Sequence, residues 1–318
     1  MSGRCICAGL TAAMLLSSSA LHAQLPRPLI PLPAEGNRVA PFFDGWYENE
    51  DGTITFSFGY SNLNKDTNVE IPLGPDNFIV PKEYDGRQPT AFPVSGPDAA
   101  DGGGAGRAGT PAVSAATAAA RAPGAGGGTV GRERDRDRGV FTVTVPASFK
   151  GDVVWTLRYA GQTHFVPARS KSTSYQLSWP AAMGSTPPLL RFEEKGRAGR
   201  GPVGIQAPPL KATVGTPVAL TIWLNDDAVH DKEPIKFGRE RPGMNVSWLK
   251  YAGPGSVAFA PEKVGFPALT GQSTTMATFK EPGEYMIRVK ADTFGYSDAS
   301  AGNQCCWTNG YQRVTVTR

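Results

Sequence analysis

Regular alternation of polar and apolar residues along short segments most constrains how this chain can fold. The pattern occurs at 53–60 and returns at 141–145, 153–157 and 163–166. A period of two residues places every second side chain on the same face of a β-strand. Turn residues such as Ala160-Gly161 separate neighbouring segments, as they do in antiparallel hairpins. The sequence therefore predicts an all-β fold built of antiparallel strands.

The last third of the chain has the clearest alternation, in VGTPVALTIWLND, VSWLKYAGPGSVAF and ATFKEPGEYMIRVKAD. No segment of helical period competes with it. These motifs resemble the immunoglobulin-like sandwiches of secreted bacterial proteins, the PKD-type modules in particular, and the entry Pro282-Gly283-Glu284-Tyr285 is their most specific part. After Trp248 the chain departs from the usual PKD turn. The resemblance implies that 217–224, 246–250, 285–291 and 311–317 are strands B, C, F and G.

Composition divides the chain into two predicted antiparallel β-sandwich domains. The first spans 38–180 and is interrupted by an insert at 94–139, which is rich in glycine and alanine and contains no aromatic residue. Such a segment buries too little apolar surface to offset its ordering entropy, so we expect it to be disordered. A proline-rich and basic stretch, 181–210, is interpreted as a linker. The second, immunoglobulin-like domain spans 211–318.

The first residues have the pattern of an export signal. Arg4 supplies a positive charge, 5–16 is apolar, and 17–23 contains small residues suited to cleavage after Ala23. The apolar run is shorter than a bilayer requires, so we expect a signal peptide at 1–23 and no transmembrane helix. The opening FDGWYENEDGTITFSFGY resembles that of a group of exported bacterial proteins, a resemblance that implies no particular activity. The predicted location is secreted or periplasmic.

Charge and motifs argue against several classes of function. The 32 basic and 28 acidic residues give a formal charge of +4, too small to indicate a nucleic-acid binder. Residues 132–138 alternate in sign, which favours a solvated flexible segment. There is no Gly-x-Ser-x-Gly or His-Glu-x-x-His motif, and the GxGxxG at 104–109 follows no predicted strand. We therefore predict a non-catalytic binding or structural module for a protein, a carbohydrate or the cell envelope.

Cys305 and Cys306 are the two cysteines that remain after removal of the signal peptide. In an exported protein they can form a vicinal disulfide, stay as free thiols or bridge two molecules. The favoured interpretation is a local clamp that stiffens the turn before the last strand. The alternative function is a periplasmic metal- or redox-linked protein or enzyme that uses this pair.

Loops B–C (225–245) and F–G (292–310) are expected at the same end of the second sandwich, where such folds carry binding surfaces. Carboxylates there would suit calcium, whereas imidazole with thiolates would suit zinc or copper. The alternative for the Asp226-Asp227 pair is a solvated turn. The candidate residues at this end are Asp226, Asp227, His230, Asp231, Cys305, Cys306 and Trp307.

Aromatic residues before the first clear strand give a second candidate surface. Trp46 and Tyr47 follow Phe42 and Phe43 closely. Exposed planar side chains on a sandwich would bind sugars or partner proteins, and buried ones would fill the core.

Thiol titration combined with mass spectrometry of the intact mature protein tests the clamp at Cys305-Cys306. We expect no titratable thiol before reduction and two after it, with the mass of a monomer throughout. Two free thiols together with a bound metal ion would contradict the clamp and favour the metal-linked alternative.

Overall fold

Apolar residues at alternate positions assemble the N-terminal strands into two small sheets. The computed structural model describes residues 38–64, 67–94, 136–170, 175–177, 186–227, 244–266, 268–292 and 307–318. One sheet has the order β1-β2-β6, and its strands are β1 (Val39–Glu48), β2 (Ile54–Asn62) and β6 (Asp137–Val145). The other has the order β4-β7-β8, and its strands are β4 (Asn77–Val80), β7 (Val153–Tyr159) and β8 (Gln162–Ala168). All pairs in both sheets are antiparallel.

Smaller elements complete this N-terminal block. The two-stranded ribbon pairs β3 (Val69–Glu70) with β5 (Ala91–Phe92), and a 3-10 turn spans Lys82–Tyr84. Of the predicted insert 94–139, residues 95–135 lie outside the described residues. Strand β6 begins at Asp137, four residues before the alternating pattern that predicted it.

Aromatic rings from both sheets fill the core of the N-terminal block. Trp155 is fully buried; its ring centroid lies 6.2 Å from that of Phe58 and 5.0 Å from that of Phe141, both edge-on. Rings in this arrangement add about 0.5–1.5 kcal/mol per pair beyond the area they bury. The predicted alternation at 53–60 and 141–145 is therefore confirmed as two strands facing one core.

The C-terminal block consists of two larger sheets. The first has the order β14-β16-β12-β9, with β9 (Leu189–Arg191), β12 (Val218–Asn225), β14 (Val257–Ala260) and β16 (Thr270–Phe279). The second has the order β10-β18-β17-β13-β15, with β10 (Ile205–Gln206), β13 (Met244–Ala252), β15 (Lys263–Phe266), β17 (Gly283–Asp292) and β18 (Trp307–Thr317). Strand β11 (Leu210–Thr213) adds to β18 in parallel.

This strand order is that of an immunoglobulin-like sandwich. Strands β12, β13, β17 and β18 are the predicted B, C, F and G. Strand β12 pairs with β16, β13 with β17, and β17 with β18. Strands β9 and β10 and the first residue of β11 fall within the predicted linker 181–210, and these strands extend both sheets. The prediction of an all-β protein is confirmed.

Asn77 is a buried polar residue, here called the hub, whose side chain hydrogen-bonds β4 to two loop carbonyls and to Trp155 on β7. Its side-chain Nδ2 donates to the carbonyls of Ile71 at 2.9 Å and Pro89 at 2.7 Å, and its Oδ1 accepts from Trp155 Nε1 at 3.0 Å. All three bonds are buried, so none of these groups has water as a replacement partner.

Replacing Asn77 with alanine should lower the free energy of unfolding by about 3 kcal/mol, because it leaves one donor and two acceptors unsatisfied in the core. Urea denaturation measures this change. The exposed Thr163→Ala on β8 is the control and should stay within about 0.5 kcal/mol of the wild type. Equal stabilities for Asn77→Ala and the control would show that the hub contributes nothing.

Candidate functional site

The N- and C-terminal blocks meet along a buried polar seam formed by Asp137, Gly139, Arg288, Asn309 and Tyr311. The side chain of Arg288 on β17 is 2% exposed, and its Nη1 lies 2.7 Å from Oδ2 of Asp137, the first residue of β6. Its Nε donates to Asn309 Oδ1 at 3.0 Å. Asn309 in turn donates through Nδ2 to the carbonyl of Gly139 at 2.7 Å. The seam therefore links two distant parts of the chain by a buried ion pair and hydrogen bonds.

Burial shifts the ionisation of the groups at the seam. Desolvation alone would lower the pKa of Arg288, but the nearby Asp137 carboxylate and the Tyr311 and Tyr60 side chains raise it. Burial lowers the pKa of Lys290, which lies over the Trp307 ring at 5.1 Å from its centroid. Arg288 is thus held as a cation, as its pairing with Asp137 requires.

Gly139 allows the two blocks to approach each other closely. It has φ of +54°, and a Cβ placed on it would lie 2.4 Å from Cζ2 of Trp307. Glycine adopts this left-handed conformation without steric cost, and the missing side chain leaves room for the indole. Substitution at this position would displace either β6 or Trp307.

Two tyrosines of the C-terminal block, Tyr311 and Tyr251, form further hydrogen bonds to the N-terminal block. The Tyr311 hydroxyl donates to the carbonyl of Val140 at 2.8 Å, and the Tyr251 hydroxyl donates to the carbonyl of Arg87. Their rings meet edge-on at 5.5 Å. Burial raises the pKa of Tyr311 to about 12, so both its donor proton and its contact persist at neutral pH.

Asp44 on β1 anchors the start of β6, which lies beyond β2 in the same sheet. Its side chain is 1% exposed; Oδ1 accepts from Arg136 Nη2 at 3.0 Å and Oδ2 from the Gly139 N–H at 2.9 Å. Burial raises the pKa of this carboxyl to about 6, against the opposing effect of Arg136. Asp44 is therefore ionised at neutral pH and loses its charge in mildly acidic solution.

A cleft of about 950 Å³, here called the large cleft, lies beside the seam. Its walls come from the N-terminal block, from the segment 192–209 and from β13, β17 and β18. The ionisable residues in its lining, tyrosines aside, are Arg87, Glu193, Arg197 and Arg313. Among the described residues, none of the three arginines forms an ion pair, and all three are exposed. Leu73 and Val203, 47% and 50% exposed, add apolar surface to the same cleft.

A second cleft of about 510 Å³, the small cleft, has a balanced charge. Four carboxylates and three lysines line it, and Lys250 is paired with Glu70 across the two blocks. Its ionisable lining residues are Glu70, Asp137, Lys250, Glu262, Lys263, Lys290 and Asp292. The unbalanced charge of the large cleft makes it the better candidate for binding a charged ligand.

The structure describes five of the predicted site residues. Asp226 is buried at the end of β12, and its N–H donates to the Leu269 carbonyl at 2.7 Å. Asp227 accepts two hydrogen bonds from Arg200 Nη2, at 2.9 and 2.8 Å, and these bonds lower the pKa of its carboxyl. Arg200 precedes Gly201, whose N–H donates to Thr308 Oγ1 at 2.9 Å, so Asp227 lies at the same end as Trp307.

Trp307, Trp46 and Tyr47 are buried in the structure. Trp307 packs under Lys290 at the seam, whereas Trp46 and Tyr47 lie in the N-terminal block, 8% and 4% exposed. Burial raises the pKa of Tyr47 to about 12. The Trp46 carbonyl accepts from the Leu177 N–H at 2.8 Å, so residues 175–177 cover this part of β1.

The remaining predicted site residues, His230, Asp231, Cys305 and Cys306, lie outside the described residues. Within the described part of the chain, no three His, Cys, Asp or Glu side chains are close enough together to hold a metal ion. In the same part, no helix has the length and hydrophobicity that crossing a bilayer requires.

Sequence reasoning did not identify the arginines of the large cleft. Arg197 belongs to the basic stretch 195–200, whose charge was a usable signal, and Arg313 occupies an outward position next to the inward Val314 of the last strand. Arg87 lies in an irregular segment with no pattern to mark it. The three converge only through the contact of the two blocks.

No protein-family model matches the chain, and no curated protein matches it. Among solved structures it is similar to domains 4 and 5 of the S-layer protein SbsC, with a TM-score of 0.21 and 12% identity over 55% of this chain and 69% of that one. It is similar to the D0-D1 domain of intimin, with a TM-score of 0.23 and 8% identity over 87% and 97%. For the Yersinia pseudotuberculosis adhesin InvE the TM-score is 0.21 and the identity 10% over 89% and 59%. At such TM-scores none of these likenesses bears on what the chain binds.

The raised pKa of Asp44 predicts a specific pH dependence of stability. Between about pH 4 and pH 6 the folded state keeps the Asp44 proton while the unfolded state releases it, so stability falls as the pH rises. The difference between a pKa of about 6 and the ordinary 3.8 corresponds to about 3 kcal/mol.

Urea unfolding of the wild type and of Asp44→Asn over this pH range measures the effect, since the amide does not titrate. Other carboxyls titrate in both proteins, so the difference between the two curves isolates Asp44. The wild type should lose about 2 kcal/mol relative to the variant between pH 4 and pH 6, and about 3 kcal/mol only over a range that extends well beyond both pKa values. Parallel curves would show that the Asp44 pKa is not raised.

Proposed function

We propose that this protein is an exported, non-catalytic binding module whose large cleft takes an anionic ligand. The observation that carries the proposal is the set of three unpaired guanidinium groups, Arg87, Arg197 and Arg313, opposed by the single carboxylate of Glu193. Each arginine comes from a different part of the chain, so the cleft exists only when both blocks are folded together. Guanidinium groups offer several donors in a fixed fork that matches carboxylates and phosphates.

The composition of the cleft supports binding rather than turnover. Its tyrosines, Tyr251 and Tyr311, already donate their hydroxyl protons to backbone carbonyls and are buried. Its volume of about 950 Å³ is sufficient for a segment of a chain-like ligand. Leu73 and Val203 would add apolar contact to the electrostatic attraction.

Two further parts of the proposal rest on the sequence. Export rests on the signal-peptide pattern at 1–23 and gives a secreted or periplasmic location, where the ligand would be an extracellular or envelope polymer or protein. Assignment of the C-terminal block to the PKD-type modules rests on Pro282-Gly283-Glu284-Tyr285, which leads into β17.

Reversing the charge of the large cleft tests the proposal. We expect the triple variant Arg87→Glu, Arg197→Glu, Arg313→Glu to bind the anionic polymers poly-L-glutamate and polygalacturonate at least about tenfold more weakly than the wild type at low ionic strength. Three exposed pairs of about 0.5 kcal/mol each account for a loss of that size. Isothermal titration calorimetry measures the affinity, and neutral dextran serves as the uncharged probe.

The matched control changes three exposed lysines outside the cleft, as Lys150→Glu, Lys211→Glu and Lys280→Glu. It alters the net charge by the same amount, so a general electrostatic effect would weaken binding equally in both variants. Equal weakening, or no binding of either polymer to the wild type, would refute the proposed function.

A further inference from the structure

We infer that the large cleft binds an extended acidic peptide, which pairs with the open edge of β6 as an added strand. The inference rests on the proposed function and names its ligand class. In the described part of the chain, β6 pairs only with β2, so its other edge belongs to no sheet. Phe141, Thr142 and Thr144 of that strand line the large cleft.

The direction of the β6 backbone follows from the seam. Val140 has no partner on β2, and its carbonyl accepts instead from the Tyr311 hydroxyl of the C-terminal block, so it points away from β2. Because the carbonyl and the next N–H of a trans peptide point in opposite directions, the Phe141 N–H points toward β2. The N–H and carbonyl of one strand residue point to the same side, and the side alternates along the strand. Thr142 and Thr144 therefore present their backbone groups away from β2.

The pairing of β1 with β2 agrees with this direction. The Trp46 carbonyl accepts from the Leu177 N–H and so points away from β2. This leaves the backbone groups of its partner Phe56 directed toward Val143 of β6. Among the described residues, the backbone groups of Thr142 and Thr144 form no hydrogen bond outside the β2–β6 pairing. Two residues of one strand thus offer two donors and two acceptors to the cleft, spaced as an added strand requires.

Charge selects the kind of strand that fits. The arginines Arg87, Arg197 and Arg313 line the same cleft as this edge, and they favour carboxylate side chains. The exposed Leu73 and Val203 favour apolar side chains. A peptide whose acidic and apolar residues alternate presents both kinds while its backbone pairs with β6. A polysaccharide offers carboxylates but no regular row of amide donors and acceptors, so the edge favours a peptide.

The experiment uses the full mature chain and an alternating glutamate–valine octapeptide as the probe. Two N-methylated forms of this peptide serve as matched ligands, one methylated at every glutamate amide and the other at every valine amide. Only one set of amides faces β6 in a paired strand. We expect one methylated form to bind at least about tenfold more weakly than the parent peptide and the other to bind within about threefold.

A variant of the protein tests the same backbone pairing by removing a donor from β6 instead of from the peptide. Thr144→Pro removes the outward N–H of Thr144, and proline is tolerated on an edge strand when that N–H faces away from the sheet. We expect a loss of peptide affinity of at least about tenfold, whereas Thr144→Val, which keeps the amide, should stay within about threefold. The methylated peptides decide the question if the proline variant does not fold.

The outcomes separate this inference from the proposed function. Equal binding of both methylated peptides would overturn strand pairing, although an arginine-dependent affinity would still support the anionic cleft. Arginine-dependent binding of polygalacturonate without binding of the peptide would likewise overturn the inference alone. Failure of the peptide, poly-L-glutamate and polygalacturonate to bind would overturn both.

Discussion

The buried ion pair between Arg288 and Asp137 is the interaction on which the arrangement of the two blocks depends. Replacing such a pair by well-packed apolar residues of the same volume often leaves stability unchanged or raises it, but separating its partners costs about 3–5 kcal/mol. The pair therefore acts mainly by excluding other arrangements. With Arg288 2% exposed and bonded to Asn309 as well, any shift of β6 along β17 would leave a buried charge without its partner.

Strand β6 has two different roles along its length. Its first residues are bound on both sides, by Asp44 at the Gly139 N–H and by Asn309 and Tyr311 at the carbonyls of Gly139 and Val140. Beyond Val140 the second side is open, and the large cleft begins there. The hydrogen bonds at the first residues of β6 thus fix the rest of the strand. The backbone groups of its open edge therefore point into the large cleft before a ligand binds.

Local periodicity predicts the strands well and the seam poorly. The alternation of Tyr285, Ile287 and Val289 correctly gives the inward face of β17, because that face packs within its own block. The opposite face carries Arg288 and Lys290, which look solvent-facing in the sequence, yet the N-terminal block covers both. Asp137 belongs to a charge-alternating run that favours a solvated segment. The pattern of a single strand does not show whether another block covers its polar face. Neither the seam nor the clefts beside it can therefore be predicted from the strands alone.

An open strand edge is also a site where a second copy of the same chain can add, and proteins commonly protect such edges with charge. The edge of β6 is short, and Arg87, Arg197 and Arg313 line the cleft in front of it. An identical edge from another copy would bring its own arginines into the same cleft, and like charges at close range oppose that pairing. A strand that carries carboxylates meets attraction at the same positions. The three arginines therefore favour binding of an acidic partner strand and oppose self-association, and they do so through the sign of their charge alone.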